Sequence, residues 1–411
     1  MSSSAIAVTA VSPATAASSA ATATRVSSID LLRGLVIVLM VLDHVRDFLH
    51  VDAWRFDPLD PAHTHGLLYV TRWVTHLCAP TFVFLAGTSA WLQRERGKSA
   101  PELARFLLTR GLWLVFLELT LVGFAWSFSF PFLLALQVIW AIGWSMVGLA
   151  ALVRLPRVTV LALGVLIIAG HNLLDPLQPA RFGNLADTWM ALHVPGLWRH
   201  DGVPFAFEAY PVLPWLGVML LGYGLAPWFR LPPAQRDRRF LGLGAALLVL
   251  FLLLRYFNAY GDPQPWSVQA SFGQSVMSFL RVQKYPPSLF YVCATLGLMC
   301  LSVPLISRWR GSVARVVLVF GSVPLFAYVL HLYLAHALAI LMRLATGQSI
   351  AGQIDLVRVQ FANPEQLASS GFSLPVVYAT WLAVLVMLYP LCRWYSGLRQ
   401  RHRDWWWLSY L

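Results

Sequence analysis

Apolar residues recur along the chain in runs of about twenty, the length a helix needs to cross a hydrocarbon core about 30 Å thick. Short stretches where Arg, Asp, Pro and Gly collect part the runs. The pattern predicts ten membrane-spanning helices at roughly 31–49, 74–92, 105–124, 131–152, 157–174, 210–229, 239–258, 286–306, 314–341 and 374–394. The connecting stretches alternate in character. Those after even-numbered spans carry Arg94, Arg96 and Lys98, then Arg154 and Arg157, then Arg230, Arg236, Arg238 and Arg239, then Arg308, Arg310 and Arg315, and finally Arg393, Arg399, Arg401 and Arg403. Those after odd-numbered spans are longer, poor in Lys and Arg, and rich in Asp, His, Pro and aromatics, as in 52–65, 175–210 and 261–284. Because cationic loops stay on the cytoplasmic side, the first set and both termini are expected inside and the second set outside.

Composition points the same way. With 58% hydrophobic and 12% charged residues and a mean hydropathy of +0.65, the chain is far more apolar than a soluble domain, which is about 45–50% apolar and about 25% charged. An all-α polytopic integral membrane protein is expected, in the plasma (inner) membrane if the source is bacterial, with lipid as its first partner and a homo-oligomer left open. The net charge of +12 is scattered between spans, so it reports topology and not nucleic acid. Cys78, Cys293, Cys300 and Cys392 lie in or beside apolar runs without Cys-x-x-Cys spacing, which argues against disulfides and zinc; no metal is expected. Residues 1–24 are Ser, Ala and Thr rich with no charge before Arg25 and read as a disordered tail. Residues 25–396 form the transmembrane domain, and 397–411 a basic, aromatic tail in which Trp405-Trp406-Trp407 anchors at the interface.

An ionisable side chain at membrane depth costs at least about 2.5–3.5 kcal/mol, so those that persist are candidates for function. The first span holds Asp30, Arg33, Asp43, His44, Arg46 and Asp47. Arg33 and His44 are eleven residues apart, which places them on one helix face about 16 Å from each other. Read blandly, Arg33 snorkels to the inner surface beside Asp30 and His44 anchors the outer interface. Four other helices nevertheless put polar groups in their outer halves: Arg72 with His76, Glu118, His171 with Asn172, and His331 with His336. A shared polar cavity opening outward accounts for that bias better than scatter does.

Acyl transfer from a thioester to a sugar hydroxyl or amine needs a base with a pKa near neutrality, a carboxylate to orient it and donors for the oxyanion. His44 suits the base. Asp47, three residues on, suits the carboxylate, whereas Asp43 points about 100° away toward a neighbouring helix. His76 and His331 are candidates for a second acid, base or acyl carrier, although each taken singly reads more readily as a structural histidine. Arg33 paired with Asp30 suits a phosphate of the donor. Arg72, Glu118 and Lys284, the last preceded by Arg281 and followed by Pro286-Pro287 at a helix start, are further binding candidates. The chain has no Walker lysine, dinucleotide-binding glycine motif, His-Glu-x-x-His or Gly-x-Ser-x-Gly, which leaves ATP-driven pumps, dinucleotide enzymes, zincins and serine hydrolases unsupported.

The run Ser28-Ile29-Asp30-Leu31-Leu32-Arg33-Gly34 with His44 in the same span resembles the transmembrane acyltransferase superfamily. Its pairing with Pro80-Thr81-Phe82-Val83-Phe84-Leu85-Ala86-Gly87-Thr88-Ser89 is more similar to the heparan-alpha-glucosaminide N-acetyltransferase catalytic-domain family and its bacterial relatives. The resemblance is carried by residues 25–155 and thins beyond them. It implies transfer of an acetyl group from cytosolic acetyl-CoA, or another acyl-CoA, to a glycan or glycolipid acceptor across the membrane, with a histidine between the first two spans at the active centre. That segment here holds His63 and His65 outside any copy of the family's local sequence, so the reacting imidazole is one of His44, His63 and His65. A permease or flippase for an envelope precursor, and a non-catalytic assembly protein, are the competing readings; no internal repeat of the transporter kind is visible.

Overall fold

The computed structural model describes residues 13–402 except 369, together with 404, 405 and 408, with side chains from Ser28 onward. Residues 1–12 of the expected disordered tail over 1–24, and Trp406-Trp407 of the C-terminal tail, lie outside the described residues, and residues 13–24 form the start of a helix.

The chain runs through α1 (Pro13–Leu49), α2 (Gly66–Thr75) and α3 (Cys78–Glu95). Next, α4 (Ala100–Leu117) continues through a π-helical stretch, Glu118–Val122, into α5 (Gly123–Ser127). Strand β1 (Leu134–Leu136) precedes α6 (Val138–Leu152) and α7 (Arg157–Gly170). After a 3-10 turn at His171–Leu174 come α8 (Ala186–Leu192), β2 (Gly196–His200) and β3 (Val203–Glu208), then α9 (Val212–Leu225) and α10 (Pro233–Phe257). The remainder is α11 (Phe272–Leu280), α12 (Leu289–Arg308), α13 (Ser312–Ser322), α14 (Pro324–Ala345), α15 (Leu356–Ala362), α16 (Glu365–Ala368) and α17 (Leu374–Arg401). Among the described residues, seven helices are long and apolar enough to cross a membrane, and α6 and α13 are shorter apolar helices. The chain is a mostly helical, polytopic integral membrane protein.

Three expected spans differ in detail. The one at 74–92 is broken at His76, where α2 ends and α3 begins; Pro80 then falls in the first turn of α3, where a missing N–H costs nothing. The one at 314–341 is two helices. Val323 leaves the helical region (φ −133°, ψ 56°) because Pro324 has no N–H to donate and crowds the residue before it. The one at 131–152 begins only at Val138, since part of the preceding apolar stretch is β1. An all-α fold is therefore not quite what forms: β1 lies parallel to β3, and β2 antiparallel to it, in the order β1-β3-β2. Strands this short inside apolar runs leave no periodicity to tell them from helix.

Contacts between loops define two ends. At one, Arg94 donates to the Val153 carbonyl, Arg157 to that of Gly224, Arg230 pairs with Glu95 at 3.1 Å and Arg308 with Asp237 at 2.6 Å, so segments rich in arginine gather there. At the other, Arg281 meets Asp57 at 2.8 Å, the Tyr260 hydroxyl donates to Ala169 O at 2.7 Å, and the Asp355 N–H donates to Ser127 O at 2.8 Å. We call these the basic end and the far end.

The helices between them touch backbone to backbone at glycines. A Cβ on Gly87 of α3 would lie 2.0 Å from Met219 O of α9, and one on Gly222 of α9 would lie 2.0 Å from Phe84 O of α3. Gly34 and Gly321 do the same between α1 and α13. In lipid, where apolar surface gains nothing by leaving its solvent, such close approach supplies much of the association energy.

The sheet also explains Glu208, which is buried and accepts from Trp140 Nε1 at 3.0 Å. Burial pushes its carboxyl up to about 8, and the indole hydrogen bond offsets that only in part.

Two outcomes follow for stability in detergent. Gly87→Ala should lower the melting temperature by an amount equivalent to more than about 1–3 kcal/mol, because the opposing atoms are backbone and cannot give way. Gly242→Ala, with nothing near its added Cβ, should change stability by less than about 0.5 kcal/mol; equal melting curves for the two variants would contradict the packing argument. As for pH, folded Glu208 stays protonated between the ordinary glutamate value of 4.5 and about 8, where the unfolded chain has already ionised. Its contribution is therefore fully present below about 4.5 and lost as pH rises to about 8. Melting temperatures of Glu208→Gln should fall less steeply over that window than those of the wild type.

Candidate active site

The sequence places Asp43, Arg46 and Asp47 in the last turns of α1, and the fold brings cations from other segments to them. Asp43 accepts from Arg72 Nη1 of α2 through both oxygens, at 2.9 and 3.0 Å, from the Thr75 hydroxyl at 2.8 Å, and from Arg46 Nη2 at 2.9 Å. Lys284 Nζ stands 3.9 Å from its other oxygen, under the rings of Tyr285 and Tyr210 at 5.0 and 5.7 Å. Three cations thus face two carboxylates in a largely buried site, which leaves one positive charge in surplus. Arg46 Nε and Nη1 and Arg72 Nε are buried with no hydrogen-bond partner, so three charged donors there have unused capacity.

His44, one residue after Asp43, turns the other way. Its Nδ1 lies 2.6 Å from His331 Nε2 of α14, and His331 Nδ1 lies 3.0 Å from the Ala327 carbonyl. A carbonyl only accepts, so His331 carries its proton on Nδ1 and, when neutral, accepts at Nε2. His44 must then donate from Nδ1, which leaves its Nε2 with a lone pair. The two imidazole planes lie within 12° of each other with 4.9 Å between ring centres, the edge-to-edge geometry of an in-plane N–H···N bond. Trp126 and Tyr328 stand edge-on to His44 at 5.5 and 6.3 Å, and the Trp126 N–H and Tyr328 hydroxyl are both buried without a partner. A base with a free lone pair is thus flanked by two unused neutral donors.

About three helical turns toward the basic end, Arg33 pairs with Asp30 at 2.9 Å and donates to the Ser89 hydroxyl of α3. Farther along α3, Trp91 and Arg94 line a cavity of about 340 Å³ with Arg154, Arg157 and Tyr223. Three arginines and two aromatic rings make a lining of the kind that suits a phosphate group.

The remaining expected residues fall elsewhere. Asp47 does not hold His44; its carboxylate takes Arg46 at 2.5 Å, since Arg46 curls back across the helix end between both aspartates. Glu118 is a cap: its carboxylate accepts from the N–H groups of Gln137 and Trp140 at 3.0 and 3.2 Å and so satisfies the first turn of α6. His76 ends α2 beside Tyr291, whose hydroxyl donates to the His76 carbonyl at 2.8 Å, and its Nδ1 is buried without a partner. His63 and His65 lie on the far-end loop. His63 bonds Asp60 at 2.8 Å with 62% of its side chain exposed, and His65 caps α2. Partial burial raises the Asp60 pKa, but the His63 hydrogen bond, the Ala62 N–H and Arg281 outweigh it and hold the carboxyl below its usual range. Thr75, Trp126, Tyr328 and the cavity arginines carry no sequence signal that marks them out, because their neighbours come from distant segments.

The model of the heparan-alpha-glucosaminide N-acetyltransferase catalytic family matches residues 25–254, a stretch that runs well beyond the 25–155 on which the resemblance first rests and takes in α1 with its stripe, Arg72, the cavity residues and Glu208. No curated protein sequence matches the chain. With more than half of its residues matched, this chain belongs to the heparan-alpha-glucosaminide N-acetyltransferase catalytic family.

Proposed function

We propose that the protein takes an acyl group, acetyl in the first instance, from acyl-CoA at the basic end and transfers it to an amine or hydroxyl of a glycan or glycolipid acceptor that enters from the far end. The family supports the reaction class, and the free lone pair on His44 between two unused donors is the observation that carries the mechanism. On this reading the basic end and both termini are cytoplasmic, and ten helices cross the bilayer.

The nucleotide occupies the cavity of Arg94, Arg154 and Arg157, and the pantetheine arm follows α1 and α3 past Arg33 and Ser89. The distance from Arg33 to His44, about 16 Å of helix rise, is close to the reach of that arm. His44 Nε2 removes the proton as the acceptor's nitrogen or oxygen attacks the thioester carbonyl. Trp126 N–H and Tyr328 O–H bind the resulting oxyanion. Collapse breaks the carbon–sulfur bond, and the departing thiolate takes the proton from His44, so free CoA and the acylated sugar are the products. His331 acts as a positioning residue that fixes the tautomer of His44, and the cationic surplus around Asp43 favours the negative charge that develops.

Purified protein given radiolabelled acetyl-CoA and a glucosamine-containing acceptor tests the reading. His44→Ala should lose about 10² to 10⁴-fold in transfer, the usual worth of a general base, with acyl-CoA binding retained. Tyr328→Phe should lose about 10² to 10³-fold in kcat with little change in KM. Full transfer by His44→Ala alongside inactivity of His63→Ala or His65→Ala would move the chemistry to the far-end loop. No turnover of acetyl-CoA by the wild type with any amino sugar would remove the enzymatic reading.

Sidedness is tested by labelling. All four native cysteines are buried, so Lys98→Cys and His63→Cys report with little background. In intact cells an impermeant maleimide should reach position 63 and not 98; the reverse result would invert the topology.

A further inference from the structure

A second cluster, unconnected with the acyl-transfer chemistry above, lies where α7 ends at the far end. His171 opens the 3-10 turn after α7, Asp175 caps that turn one helical turn later, and His193 follows α8. One ligand atom from each of the three lies within 4.8 Å of the others. His193 Nε2 is 3.0 Å from Asp175 Oδ1, and the His171 and His193 ring centres are 5.8 Å apart.

The hydrogen bonds within this cluster do not account for it. His171 is 2% exposed and His193 1%, yet both ring nitrogens of His171 and the Nδ1 of His193 are buried without a hydrogen-bond partner. An imidazole always carries at least one N–H donor or one lone pair in need of a partner, and leaving a buried polar group unpaired costs about 1–3 kcal/mol. Asp175, by contrast, is held firmly: Asn172 Nδ2 donates to its Oδ2 at 3.0 Å, which turns Oδ1 toward the two imidazoles. A carboxylate oriented by an outer hydrogen bond, beside one histidine with no partner and a second with one ring nitrogen free, is the arrangement that metal ligands adopt.

We propose that His171, Asp175 and His193 bind one divalent transition-metal ion of the zinc class, with a fourth position left to water. Two imidazoles and one carboxylate form a donor set that zinc and similar borderline ions take readily, and three protein ligands plus water complete a tetrahedron. Ligand bonds of about 2.0–2.2 Å at tetrahedral angles put donor atoms roughly 3.4 Å apart. The His193–Asp175 pair is already near that separation at 3.0 Å, and the His171 ligand atom lies within 4.8 Å of both. The ion fastens the segment that leads into β2 and β3 onto the end of α7. Asn172 extends this anchor, because its Oδ1 accepts from the Leu289 N–H at 2.9 Å at the start of α12, five residues after Lys284. The expectation that the chain binds no metal rested on its cysteines; these ligands are histidines and an aspartate that meet only in the fold.

Full-length protein in detergent, stripped with chelator and titrated with Co²⁺, should show visible d–d absorption saturating at one ion per chain, displaced by Zn²⁺, and metal analysis of protein purified without chelator should find the same stoichiometry. His171→Ala and His193→Ala should abolish the band, Asn172→Ala should weaken binding by about 10–100-fold, and His200→Ala, an exposed histidine in the same segment, should leave it unchanged. Chelator should lower the melting temperature of the wild type but not of His171→Ala. If His171→Ala does not fold, the wild-type cobalt spectrum and the effect of chelator decide the matter. No d–d band in the wild type, or a band that survives in both histidine variants, would overturn the site and leave a buried water as the partner of these imidazoles.

Discussion

A carboxylate that draws cations from three segments into a dry interior is the constraint around which the far half of the bundle is arranged. Asp43 on its own would be costly at this depth, and so would Arg72, Arg46 or Lys284; together they neutralise one another, Arg72 and Arg46 through contacts of 2.9 Å and Lys284 from 3.9 Å. Arg72 can reach Asp43 only if α2 lies against the end of α1, and Lys284 only if the stretch before α12 folds down between them. The charges therefore fix the approach of segments whose apolar surfaces, in lipid, would not choose a partner. Glycine contacts do the corresponding work for the long helices by selecting which faces meet.

This division decides what could be read in advance. The apolar runs and the alternating arginines were legible because lipid and the positive-inside bias act on local sequence, and the bundle does gather the arginine-rich connections at one end. The pairing of Arg33 with Asp30 was legible because i,i+3 neighbours on a helix must meet. The turning of Asp43 toward another helix followed from the same geometry. What local geometry could not supply was the partner: Arg72 is 29 residues away from Asp43 and His331 is 287 away from His44. Asp47 looked like the orienting carboxylate because spacing alone cannot show that Arg46 would claim it. Glu118 looked functional for the opposite reason, since its role as a cap depends on the end of a helix that begins twenty residues later. The breaks at His76 and Val323 were marked by prolines, but an apolar run hides whether a proline bends a helix or ends it.

The pairing of His44 with His331 has a chemical consequence that a carboxylate partner would not have had. A carboxylate holds the imidazole's N–H and also favours the protonated ring. A neutral imidazole holds the same N–H, fixes the same tautomer and adds no negative charge, so it orients the base without making the protonated state an electrostatic trap. With the carboxylates of Asp43 and Asp47 committed to arginines, the region around His44 keeps its surplus positive charge, which opposes a lasting imidazolium and favours an oxyanion. On the proposed mechanism, that environment suits a step whose last act is to return the proton to a departing thiolate.

The charge cluster is held by segments that also meet at the far end. Arg281 joins Asp57 across the far end; the chain from Asp57 leads into α2 and Arg72, and the chain from Arg281 leads in three residues to Lys284. The two segments joined at the far end thus both continue inward to Asp43. The contact at the far end therefore holds together the segments that carry Arg72 and Lys284 to Asp43.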